Sequence, residues 1–117
     1  MLCNVIEKQK PKCYQYWPEK VGQTANFNQI TLKTISVTCI EGGNITVTKI
    51  KMDCENESRI LYHRHWTTWP DHGAPTTVMV PFSLLQSARE QKRPVVVHCS
   101  AGIGRTGTLV LVEMILR

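Results

Sequence analysis

Cys99 and Arg105 stand five residues apart, joined by Ser100-Ala101-Gly102-Ile103-Gly104. A segment of that length can wrap into a tight loop whose backbone N–H groups all point inward. Gly102 and Gly104 supply the dihedral freedom such a loop needs. A ring of N–H groups, followed by the positive end of a helix, binds a dianionic phosphate. Arg105 adds a planar fork able to grip two phosphate oxygens at once. The same field stabilises a thiolate at Cys99, and comparable settings lower cysteine pKa values to about 3.5–7.5. A thiolate at neutral pH attacks phosphorus directly, which a serine hydroxyl does not do unaided. The Thr106 hydroxyl can donate to the sulfur and ease its later departure. Taken without their context, Cys3, Cys39 and Cys54 read as buried structural thiols.

The elements that would position this chemistry are set by pattern. Leu2–Ile6 is a short strand candidate, and 7–20 reads as loop. Residues 31–40 alternate Ile35, Val37 and Cys39 with Thr34, Ser36 and Thr38, the period of a strand. Residues 44–52 form a second β-rich run, and Glu41-Gly42-Gly43-Asn44 between them predicts a hairpin. Residues 60–66 are a third. Pro70, Gly73 and Pro75 make 68–77 a loop. Phe82, Leu85 and Ala88 have helical spacing within 80–91, with Pro81 in the first turn. Val95-Val96-Val97 reads as a buried central strand, and 108–116 as a helix apolar almost all round. The fold class is α/β: a twisted mixed sheet flanked by helices, with the Cys-x5-Arg loop between a central strand and a helix.

Composition narrows the rest. The chain has 117 residues, 42% hydrophobic and 20% charged, suited to one small globular domain. No apolar run approaches the roughly 20 residues that cross a bilayer. The start of the chain has no signal-peptide pattern. Five cysteines cannot form a full disulfide framework and lack zinc-finger spacing, so reduced thiols in a cytoplasmic setting are expected. The net charge of +5 is spread along the chain rather than gathered into a nucleic-acid stripe.

His98-Cys99-Ser100-Ala101-Gly102-Ile103-Gly104-Arg105-Thr106-Gly107 resembles the signature loop of the protein tyrosine phosphatases. Thr68-Trp69-Pro70-Asp71-His72-Gly73 resembles their mobile acid loop, and Lys12-Cys13-Tyr14-Gln15-Tyr16-Trp17-Pro18 is similar to a patch of the tyrosine-specific branch. The resemblance implies that Cys99 attacks phosphotyrosine to form a cysteinyl-phosphate. Asp71 would protonate the leaving phenolate and then act as base toward water. Ser100, Ala101, Gly102, Ile103, Gly104 and Arg105 would bind the phosphate. His98 would hold the loop, Trp69 and Pro70 would shape the acid loop, Glu7 would brace Arg105, and Lys12 would reach the acid loop. Phosphotyrosine proteins are the implied partners, with no nucleic acid, no membrane contact and no cofactor. The location implied is the cytoplasm, or the cytoplasmic side of a receptor-type parent. His63 and His65, two apart on one strand face, invite a zinc reading together with His72, His98 and Cys99. The phosphatase reading uses Cys99 without metal and is preferred.

Set against the family pattern, residues 1–117 are expected to be a partial catalytic domain. The upstream loop that stacks on the phosphotyrosine ring and the downstream glutamine loop that positions water have no counterpart. The final helix is then expected to leave apolar patches exposed and the isolated chain to fold poorly. The enzyme has two rivals: a phosphotyrosine-binding module with little or no turnover, and an inactive fragment.

Overall fold

A computed structural model of the chain describes residues 1–70 and 72–117. It divides into two compact units, one made of Met1–Cys13 with Trp66–Arg117 and the other of Tyr14–His65.

The second unit is built on a four-stranded sheet. Its strands are β3 (Thr24–Phe27), β4 (Ile30–Ile40), β5 (Ile45–Cys54) and β6 (Glu57–Trp66), in the order β3-β4-β5-β6. The β3/β4 and β4/β5 pairs are antiparallel. Asn28, at φ +55°, turns β3 into β4, and a 3₁₀ turn at Glu41–Gly43 joins β4 to β5. The expected hairpin is present, with Ile40 opposite Ile45. β3 is not anticipated by pattern. Its residues Thr-Ala-Asn-Phe lack the alternation that marks its neighbours. The register shifts between Thr34 and Ser36, a bulge that leaves Thr34 as the buried residue of β4. The Thr34 hydroxyl donates to the Pro18 carbonyl, which satisfies both groups away from water. Ile35 and Val37 are each 40% exposed and Cys39 is exposed as well. Cys54 is half-buried. The expectation of buried structural thiols therefore fails at both positions, because only Thr34 of β4 lies under a covering layer.

In the same unit, His63 and His65 belong to an aromatic stack. The Trp17 and His63 rings lie 4.2 Å apart, nearly parallel, and His65 meets Trp17 edge-on at 5.7 Å. The Tyr16 hydroxyl bonds His63 Nε2 at 2.8 Å. Packing explains this pair of histidines without a metal.

The first unit holds both Cys99 and Arg105. Its elements are the β1 (Ile6–Glu7) and β2 (Lys10–Pro11) hairpin, α1 (Met79–Arg89) and α2 (Arg105–Leu116). The expected strand at Leu2–Ile6 is paired only from Ile6. The segment before it is nonetheless tied on two sides. The Trp66 N–H donates to the Met1 carbonyl and the Leu2 N–H to the His98 carbonyl, each at 2.9 Å. Asn4 Nδ2 donates to the Thr67 carbonyl at 2.9 Å. Leu2, Cys3, Trp66, Trp69, Val80, Leu85 and Leu109 form the core of this unit.

Val95–Val97 departs from expectation. The run pairs with no strand among the described residues, and Val95 and Val96 are 48% and 84% exposed. Apolar composition states what a segment would bury, not what is there to cover it. The same holds for α2, where Leu109 is buried while Val110, Leu111, Met114, Ile115 and Leu116 are exposed. Arg89 of α1 grips Glu113 of α2 through Nε and Nη2, at 3.0 and 2.7 Å. Among the described residues, no helix is long and apolar enough to cross a membrane.

The β1–β2 turn is unusually tight. Glu7 and Lys10 pair directly, so Lys8 and Gln9 alone make the turn, at φ +50° and +64°. That geometry favours Asn-Gly, and side chains other than Gly are strained in it. The double substitution Lys8→Asn/Gln9→Gly is expected to stabilise the fold by about 1 kcal/mol, read as a higher urea midpoint. An unchanged or lowered midpoint would show that the turn holds no such strain.

Candidate active site

Arg105 opens α2 and is 5% exposed, unusually low for an arginine. Its burial is compensated. Nη1 and Nη2 donate to the two carboxylate oxygens of Glu7 at 2.7 and 2.8 Å, a bidentate pair whose carboxylate is also buried. Nη1 further donates to the Trp69 carbonyl at 3.2 Å. One guanidinium thus ties the β1–β2 hairpin, the loop before position 71 and the first turn of α2. Trp69 is itself fixed. Its indole N–H donates to the Gly73 carbonyl at 2.9 Å, and its ring packs 4.9 Å from that of Trp66.

Cys99 sits at the mouth of the loop, 8% exposed, while Ser100–Gly104 all lie exposed around it. Gly102 takes φ +82°, a conformation glycine adopts without strain. Its N–H donates to Cys99 Sγ at 3.2 Å. Gly104 caps α2 by accepting from both the N–H and the hydroxyl of Thr108 at 2.9 Å. Burial alone would push the Cys99 thiol up. The Thr106 hydroxyl and N–H, the Gly102 N–H and the Arg105 charge outweigh it and hold the thiol below its ordinary 9.0. Thr106 Oγ1 is buried and closes no hydrogen bond of strict geometry, so it acts on the sulfur as a nearby dipole. Cys3 behaves oppositely. Burial first, then neighbouring Cys13, pushes its thiol up to about 11, which rules it out as a nucleophile at neutral pH.

The other candidate residues surround this centre. His98 Nδ1 lies 3.2 Å from the Cys99 carbonyl, at the stem of the loop. The Lys12 N–H closes onto the Val5 carbonyl at 2.7 Å, which places its backbone at the foot of the β1–β2 hairpin. Pro70 is exposed, and His72 is exposed at φ +56°. Asp71 lies outside the described residues. Asn4, which bonds the Thr67 carbonyl, and Lys8 and Gln9, which make the turn after Glu7, are not marked by the sequence. Their only local signal is a polar turn next to Glu7. A cleft of about 310 Å³ whose lining includes Leu85, Val97, Leu109 and Met114 contains neither Cys99 nor Arg105.

The protein-tyrosine phosphatase family model matches residues 1–117. The chain belongs to that family. It is 39% identical to tyrosine-protein phosphatase 2 of Dictyostelium discoideum, over 99% of this chain and 31% of the relative. It is 34% identical to human receptor-type tyrosine-protein phosphatase zeta, over 100% of this chain and 6% of that protein. Against corkscrew of Drosophila virilis the identity is 36%, over 99% of this chain and 16% of the relative. The chain therefore spans less than a third of the length of these curated relatives. Two solved structures of PTPN18 superpose with TM-scores of 0.89 and 0.87, at 27% and 28% identity. They cover 98% and 96% of this chain, and 42% of each neighbour. One concerns the fingerprint of PTPN18 on distinct HER2 tyrosine phosphorylation sites, the other its complex with HER2 phosphopeptides. The family and the α/β fold are thus shown.

The geometry makes two predictions. Glu7→Ala leaves a buried guanidinium without its carboxylate and should cost about 3–5 kcal/mol in urea unfolding, with Glu7→Gln costing less. Equal, negligible losses in both would mean that Arg105 is not held by this pair. The Cys99 thiolate should persist below the ordinary thiol pKa of 9.0, since its folded value is depressed. Iodoacetamide labelling of Cys99 should then reach half its maximal rate at a pH below 9.0 and move upward in Thr106→Val. A midpoint that stays put in the variant would remove Thr106 from the balance.

Proposed function

We propose that this chain carries the catalytic core of a protein-tyrosine phosphatase, with Cys99 as nucleophile, Arg105 as phosphate clamp and Asp71 as general acid and base. The observation that carries the reading is the depressed Cys99 thiol, met by the Gly102 and Thr106 N–H groups, beside an Arg105 already locked by Glu7. In this reading the Cys99 thiolate forms the S–P bond as the phosphorus–phenolic oxygen bond breaks. Asp71 gives its proton to the leaving tyrosinate. Water then attacks phosphorus, Asp71 takes its proton, and the S–P bond breaks to return the thiolate and release phosphate.

Each supporting residue has a physical task. The loop N–H groups from Ser100 to Gly104 and the Arg105 fork offer donors to the three non-bridging oxygens, where charge concentrates during transfer. Glu7 keeps the fork in plane, so that no reorganisation is needed when phosphate arrives. Thr106 stabilises the sulfur both as nucleophile and as leaving group. His98 orients the Cys99 peptide. Trp69 offers a rigid hinge for the acid loop, and Lys12 stands at the foot of the hairpin that holds Glu7. Phosphotyrosine in proteins is the substrate class, in keeping with the HER2 phosphopeptides bound by PTPN18. A cytoplasmic location, or the cytoplasmic part of a receptor, fits reduced thiols and a phosphoprotein substrate.

The test is hydrolysis of a phosphotyrosine peptide and of p-nitrophenyl phosphate. Cys99→Ser should abolish turnover of both. Asp71→Asn should lower kcat by about 10²–10⁴-fold on the peptide, whose leaving group needs a proton, and much less on p-nitrophenyl phosphate. Equal losses on the two substrates would count against Asp71 as the acid, and turnover surviving Cys99→Ser would sink the mechanism.

A further inference from the structure

Cys3, Cys13 and His98 converge within the first unit although they come from distant parts of the chain. Their ligand atoms all lie within 4.8 Å of one another. We propose that these three residues form a zinc site on the stem of the phosphate loop, with water completing the coordination.

The donor set selects the metal. Two thiols and an imidazole suit zinc, whereas calcium and magnesium take oxygen ligands. A tetrahedral zinc with Zn–S of about 2.3 Å and Zn–N of about 2.0 Å separates its donors by roughly 3.5–3.8 Å. From separations of at most 4.8 Å, the cluster reaches that geometry by closing no more than about 1.3 Å. Binding displaces one proton from each thiol to solvent, and the two resulting thiolates cancel the ion's charge, which makes the complex neutral and compatible with a buried position.

A second observation points the same way. His98 Nδ1 lies against the Cys99 carbonyl at 3.2 Å. A carbonyl oxygen only accepts, so Nδ1 is the donor there and Nε2 is the ring nitrogen we assign to the ion. Metal-binding histidines typically have one ring N–H given to such a partner, which fixes the tautomer and turns the other nitrogen to the ion. The backbone around the donors is anchored as well. Leu2, beside Cys3, donates to the His98 carbonyl at 2.9 Å, and the Cys13 N–H donates to the Val5 carbonyl at 3.3 Å. Cys3 is fully buried while Cys13 and His98 are only partly so, which leaves an open side for entry of the ion and for the water.

The cluster is distinct from the histidines that the sequence brings to mind. His63 and His65 are taken up by Trp17 and Tyr16. It is also distinct from Cys99, whose thiolate is not among the donors. Because His98 is bonded directly to Cys99, zinc would brace the stem from which the nucleophile rises. The site stands on its own geometry and does not depend on phosphatase activity.

Cobalt serves as the spectroscopic probe for zinc. The reduced, metal-free 117-residue chain should bind one equivalent of Co²⁺. The complex should show a thiolate-to-cobalt band in the near ultraviolet and tetrahedral bands in the visible, all displaced by Zn²⁺. Cys3→Ser and Cys13→Ser should each lose the thiolate band of the pair and weaken zinc, measured against a competing chelator, by about 10–100-fold or more. Cys99→Ser should keep both the spectrum and the affinity. Failure of the parent chain to develop the bands overturns the proposal. So does a spectrum that survives in the Cys3→Ser/Cys13→Ser double variant, or one lost in Cys99→Ser, which would assign the ion to the nucleophile. Should Cys3→Ser not fold, Cys13→Ser at its less buried position decides alone.

Discussion

The site hangs on one buried ion pair. Removing the Arg105 guanidinium and the Glu7 carboxylate from water costs several kcal/mol per ion, and their attraction repays that only with good geometry. Here the geometry is bidentate, with a third bond to the Trp69 carbonyl. Such a pair is weak evidence of net stability and strong evidence of positioning. It joins residues 98 apart in the chain and gives a planar fork a single orientation. Nη1 and Nη2 both go to Glu7, and Nη1 also reaches the Trp69 carbonyl, so the fork is held from two sides. The strain in the Lys8–Gln9 turn is intelligible in this light, since the turn presents Glu7 to Arg105.

Cys99 obeys a second balance that depends on the first. Desolvation is the largest influence on Cys99 and works against the thiolate. The opposing donors are small individually and succeed because they are fixed before charge appears. Gly102 is turned inward by a conformation other residues avoid, Thr106 is locked in the first turn of α2, and Arg105 is held by Glu7. Loosening the guanidinium would remove a positive charge and also let the first turn move. Cys3 shows the outcome when burial is not countered in this way, with its thiol pushed far above neutrality.

Legibility in the sequence depends on how local each feature is. The Cys99–Arg105 loop is self-contained, since its spacing, glycines and following helix all lie close together in the chain, and the turn at Gly102 and the helix from Arg105 are legible there. The hairpin of β4 and β5 and the helix at Met79–Arg89 are local too, and are legible to within a few residues. Glu7 is assigned through resemblance alone, because nothing near it in the chain announces a partner at Arg105. The cluster of Cys3, Cys13 and His98 is invisible for the same reason: its spacing matches no motif, and only folding brings it together. Burial is the poorest inference. Val95, Val96 and Cys39 read as interior, yet interior status depends on neighbouring layers that a segment's own composition does not reveal.

Helix α2 carries both kinds of determination along one element. It is anchored by arginine–carboxylate pairs at both ends, Arg105 with Glu7 at its start and Arg89 with Glu113 near its end. The two look alike in distance, at 2.7 Å each, and differ in setting. The first pair is buried on both sides. In the second, Arg89 is 44% exposed, where water and salt screen the attraction and the net contribution is small. Between them the helix buries Leu109 and leaves its other apolar side chains to solvent. The first turn is therefore the best-determined part of α2 and the remainder the least. That gradient puts rigidity where phosphate would bind. The accuracy of the cradle then rests on Glu7 and the hairpin beneath it rather than on the packing of the helix beyond.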